Sequence, residues 1–142
     1  MPSRLRDLFR QPRQTEQASA AADTLGRLPE WNLSDLYPGI EAPETKADLD
    51  AAAEAAKAFE TAHKGTLADL LERDGGADRL AAVIGEYEAL SDRFGRLAAF
   101  ASLTYAGETT DPVRAKFYGD VQDRLTSASS HVLFFELELN RL

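Results

Sequence analysis

The chain has no cysteine, which removes disulfides, thiol nucleophiles and thiolate metal sites in one step. Histidine is nearly as scarce: His63 and His131 are the only two. His63 is followed by Lys64-Gly65 and His131 by Val132-Leu133, so the H-E-x-x-H helix of a zinc peptidase is missing. A last-turn helix position suits His63, and packing or surface exposure is expected of His131. No apolar run approaches the roughly 20 residues needed to cross a bilayer. Positive charge is in deficit, 16 Lys and Arg against 24 Asp and Glu, which argues against nucleic acid and against an anionic membrane surface. Gly75-Gly76 runs into Ala77-Asp78, not into the Lys-Ser or Lys-Thr of a phosphate loop. "LTSASSH" has serines but no G-x-S-x-G elbow. Acidic neighbours such as Asp48, Asp50 and Glu54, or Glu86 and Glu88, are expected as solvated helix faces. Taken residue by residue, the chain contains no catalytic, cofactor-binding or metal-ligating constellation.

What remains is the composition of one ordinary domain: 142 residues, 44% hydrophobic and 28% charged. Charge is uneven. Residues 1–27 hold five Arg against three acidic residues, are interrupted by Pro12 and lack the apolar stretch of a secretory signal. They are expected to be a poorly ordered extension, with the folded part spanning 28–142.

Helical spacing dominates that folded part. Pro43 suits a first turn, Leu49, Ala52, Ala56 and Phe59 recur three or four apart, and Gly65 supplies a stop. This predicts a helix over 44–63. A short one follows in "LADLLER", with Thr66 as its cap and Asp74-Gly75-Gly76 as its end. The longest helix should carry Leu80, Ile84, Tyr87, Leu90, Phe94, Leu97, Ala101 and Leu103 on one stripe. Gly85 and Gly95 lie inside it, marking either a close helix contact or mere sequence drift. After "GETTDP", Thr110 or Asp111 caps and Pro112 starts a fourth helix with Val113, Phe117, Val121, Leu125, Ala128, Val132, Phe135 and Leu139 in register. No residue in 113–142 is expected to break it, so helices three and four read as an antiparallel hairpin of roughly 30 residues per arm. The fold class is all-α: a long hairpin plus one or two shorter helices. In "VLFFELEL", Leu133, Phe134 and Leu137 fall off the hairpin seam. An apolar surface of this kind should be covered by more chain or by a partner.

One stretch does not fit a helix. "LPEWNLSDLYPG", residues 28–39, holds the only Trp, a Tyr, two Pro and a Gly. Mechanically it reads as a loop whose Trp31, Leu33, Leu36 and Tyr37 are stapled onto helices, with Ser34 and Asp35 satisfying local backbone. It also resembles the N-terminal signature of the oligoendopeptidase F family, zinc metallopeptidases related to thimet oligopeptidase. Pro29, Trp31, Leu33, Asp35, Leu36 and Tyr37 stand as in that signature, and Asn32 replaces its usual Asp. A second block, "FGRLAAFASLTYAGETTDPVRAKFYGDVQ" at 94–122, resembles the family's helix–turn–helix, and "FFELEL" at 134–139 its Phe-Phe-x-x-Glu-Leu stretch.

The resemblance implies a larger, mostly helical, cytoplasmic enzyme that hydrolyses internal bonds of short peptides. Its zinc is held by a downstream H-E-x-x-H helix and a later glutamate, none of which lies in this chain. On that reading the chain is an N-terminal fragment, inactive alone, which forms part of the wall or lid of the substrate channel. Its partners are then oligopeptides and the remaining catalytic part. A contrasting reading is a non-enzymatic helical hairpin that dimerises through Phe134, Phe135 and Leu137.

Overall fold

Pro43 opens the first helix because its fixed φ suits a first turn and its missing N–H costs nothing there. The computed structural model describes residues 30–142, and the expected extension over 1–27 lies outside them. Five helices and no strand occur among the described residues, so the all-α expectation holds. They are α1 (Pro43–His63), α2 (Leu67–Leu71), α3 (Gly76–Gly107), α4 (Pro112–Ser130) and α5 (Leu133–Leu139).

Leu49, Ala52, Ala56 and Phe59 form the buried stripe of α1, as their spacing predicts. Two glycines in left-handed backbone, Gly65 at φ 78° and Gly75 at φ 71°, turn the chain before α2 and before α3. At the hairpin turn Asp111 accepts the Val113 N–H at 2.8 Å, and Pro112 takes the first helical position. α3 packs along α4, and α1 packs against both. The result is a three-helix bundle with α2 and α5 at one end.

Its core has two parts. At the α2/α5 end, Phe59, Leu67, Val83, Leu90, Ala128, Val132, Phe134 and Phe135 cluster. At the other end Tyr37, Leu49, Leu97, Phe100, Val121 and Leu125 do so, and Phe94 touches both groups.

Five local expectations are corrected. The fourth helix is broken: α4 ends at Ser130, a turn covers His131-Val132, and α5 starts at Leu133. The hydroxyls of Ser129 and Ser130 donate back to the carbonyls of Thr126 and Ser127, and such local bonds weaken a helix end. The break swings Phe134 and Phe135 inward, to 8% and 1% exposure, against Phe59 and, for Phe135, also Tyr87. Phe134 is therefore core, while Leu133 and Leu137 do stay outside at 60% and 61%.

Gly85 and Gly95 mark no close approach, since an added Cβ would meet nothing within 4 Å at either. The tight glycine is Gly76, where a Cβ would lie 2.5 Å from the carbonyl oxygens of Leu70 and Leu71. Thr66 makes no side-chain cap; its hydroxyl donates to the His63 carbonyl at 2.8 Å. Val83 and Phe100 are buried beside the predicted stripe of α3, whereas Val113 is exposed. Trp31, expected against the helices, is 61% exposed.

Candidate functional site

Among the described residues of the opening stretch, Tyr37 is the one that goes fully into the core, at 5% exposure. Its approach is built locally. Asn32 Oδ1 accepts the Ser34 N–H at 3.1 Å, and the Leu33 carbonyl accepts the N–H groups of Leu36 and Tyr37. The backbone-satisfying role expected of Ser34 and Asp35 thus falls to Asn32. Leu33 and Leu36 pack half-buried on the core beneath. Gly39 then offers its carbonyl to the fully buried Thr45 hydroxyl at 2.7 Å, fastening the stretch to the first turn of α1.

The Tyr37 ring lies 5.3 Å from Phe100, and its hydroxyl donates to Asp48 Oδ2. Arg96 donates through Nε to the Tyr37 oxygen at 3.1 Å and through Nη2 to Asp48 at 2.8 Å, with its guanidinium over the Tyr37 ring. Arg93 Nε reaches Asp48 Oδ1 at 3.2 Å. One carboxylate thus gathers a phenol and two guanidiniums from three parts of the chain. Burial raises the Tyr37 pKa, and its bond to Asp48 raises it further. For Asp48 burial acts against ionisation, but the bonds from Tyr37 and Arg96 and the charges of Arg93 and Arg96 prevail and hold its carboxyl below the ordinary value. The cluster thus ties the opening stretch to α1 and α3 as a clasp.

A groove runs beside this clasp between α1 and α3, about 410 Å³ in volume. α1 lines it with Ala55, Ala58, Phe59, Ala62 and His63, and α3 with Glu86, Ala89, Leu90 and Arg93. Both sets recur at helical spacing, so each helix presents one face. His63 Nε2 lies 2.9 Å from Glu86 Oε2 at one end, and Arg93 stands at the other.

His131 sits at the break between α4 and α5, where Nδ1 pairs with Glu60 Oε2. Bonds from Lys64 and then His131 hold the Glu60 carboxyl below its ordinary value. The two histidines serve separate helix contacts, and among the described residues no group of three or more His, Asp or Glu could hold a metal ion. The zinc implied by the resemblance therefore has no fitting ligand set in the described residues, and no zinc-dependent step is assigned to them.

Glu136 and Glu138 hold α5 in place. The former accepts the Tyr87 hydroxyl at 2.6 Å and the latter the Gly65 N–H at 2.7 Å. The bond to Glu136 and partial burial raise the Tyr87 pKa. The sequence reading did not foresee the clasp. Its one available signal was a Tyr in a stretch already marked as non-helical, with arginines three apart on α3.

No helix among the described residues is long and apolar enough to cross a membrane. Compared with family models, curated proteins and solved structures, the chain matches none.

Proposed function

We propose that this chain is the N-terminal helical part of a cytoplasmic zinc oligoendopeptidase, contributing wall or lid to a channel that admits short peptides. What carries the reading is the pair of sequence blocks resembling the oligoendopeptidase F family, one at 28–39 and one at 94–122. They meet in the fold: Tyr37 of the first block packs on Phe100 of the second and is bonded by Arg96. Blocks that evolve as one structural unit are expected to be in contact. The outer face of α5, with Leu133 and Leu137 exposed, is the surface this reading gives to the catalytic part. The contrasting dimer reading loses most of its surface, because Phe134 and Phe135 are inside.

The test has two arms on one quenched fluorescent oligopeptide with zinc supplied. The 142-residue chain should show no hydrolysis, and the complete gene product containing it should cleave the peptide and lose activity to a chelator. A complete product without an H-E-x-x-H helix, or zinc-dependent hydrolysis by the short chain itself, would overturn the reading.

A further inference from the structure

Without cysteine the chain has no thiol to take up an oxidising equivalent. The rings best able to lose an electron are then one Trp and four Tyr. Two of those tyrosines stand against phenylalanines, Tyr37 on Phe100 and Tyr87 on Phe59 and Phe135. Their hydroxyls are bonded to Asp48 and Glu136. The other two stand against each other. Tyr105 in the last turn of α3 and Tyr118 in the second turn of α4 stack with centroids 5.2 Å apart and planes within 8° of parallel. Both rings are half-buried, and neither hydroxyl bonds to another described residue. The pair sits beside the hairpin turn, whose residues from Gly107 to Thr110 are all exposed. That turn is held by the Asp111 cap and by Arg114, which reaches Asp111 and the Thr104 carbonyl.

We propose that Tyr105 and Tyr118 form a site of oxidative modification, where a diffusible one-electron oxidant couples the two rings into a dityrosine that staples α3 to α4. Each phenol gives up one electron to the oxidant and its hydroxyl proton to water. A bond then forms between one Cε of each phenoxyl ring. The hydrogens on those two carbons move to the oxygens as the rings regain aromaticity. The product is lighter than the starting chain by two hydrogen atoms. Stacking favours the step because the second radical forms in contact with the first, and half-buried rings have room to turn edge to edge. The bridge constrains the unfolded chain across 105–118 as a disulfide would. It needs neither zinc nor a catalytic part, so it stands or falls separately from the peptidase reading.

The experiment illuminates the chain with ruthenium tris-bipyridine and persulfate, which takes the two electrons and leaves as two sulfates. Dityrosine fluorescence is expected in a chain that still migrates as a monomer. After trypsin, peptide 97–114 should be found joined to peptide 117–124. The yield should not change on dilution, since the two rings belong to one chain. Tyr105→Phe and Tyr118→Phe keep the ring pair and should each lose the product, while Tyr87→Phe should keep it. The bridged chain should melt about 5–10 °C above the unbridged one. Absence of dityrosine, a product joined at other tyrosines, or a yield that falls on dilution would each overturn the proposal. So would fluorescence that survives Tyr105→Phe or Tyr118→Phe, or a bridged chain that melts no higher.

Discussion

At the residue scale, Asp48 decides most. It alone closes the clasp, and its removal takes the acceptor from the Tyr37 hydroxyl and the counter-charge from two guanidiniums. Asp48→Asn should cost about 2 kcal/mol at neutral pH, the value of a bond to a charged group, read from urea unfolding. The sign of the pH dependence follows from the lowered pKa. A carboxyl whose folded value lies below its ordinary 3.8 stabilises above that value and loses the contribution as pH falls through the folded one. The gap between wild type and Asp48→Asn should therefore stay constant from pH 7 to about pH 5 and narrow progressively as pH falls below about 4. A gap with no pH dependence at all across the acid range would assign the loss to packing alone. Tyr37 could be singled out from the sequence as an anchor, because aromatic residues in a non-helical stretch have to bury somewhere. Its partners could not, since Asp48 and Arg96 look like any charged residues on helices.

At the scale of the element, helix existence was legible and helix interruption was not. The three- and four-residue spacing of α1 and α3, Asp111-Pro112 at the start of α4, and Gly65 after α1 all act through local backbone geometry, so the sequence displays them. Where α4 stops depends on two weak influences, serine hydroxyls that compete for carbonyls and phenylalanines drawn into a core made by distant residues. Glycine shows the same division. Gly85 and Gly95 are interior helix positions with open space around them, so alanine at either should stabilise by about 0.5–1 kcal/mol. Gly76→Ala should instead destabilise by about 2 kcal/mol, because its methyl would meet two carbonyl oxygens of α2 that cannot rotate away. Thermal unfolding of the three variants checks the contrast, and a stabilised Gly76→Ala would show that α2 shifts freely.

For the whole molecule, the consequence of the helix break is a short terminal helix with two apolar sides. Phe134 and Phe135 face the core and Leu133 and Leu137 face outward. Replacing both leucines by Glu should leave unfolding within about 0.5 kcal/mol of wild type, because nothing in the fold rests on them. Phe135→Ala should cost about 3–5 kcal/mol. Light scattering of the double-Glu variant should also show less self-association than wild type; equal association would place the sticky surface elsewhere. The sequence by itself determined the helical class, the Asp111-Pro112 start of α4, the non-helical opening stretch and the apolar surplus of the last helix, because periodicity, turn residues and composition act over a few neighbours. Only the tertiary structure decided which half of that surplus is core. It also decided that Tyr37 meets Asp48 and Arg96, and that Glu86 and Arg93 stand at opposite ends of one groove. Those outcomes depend on how helices far apart in sequence are set against each other, and a pairing between them leaves no mark in either segment alone.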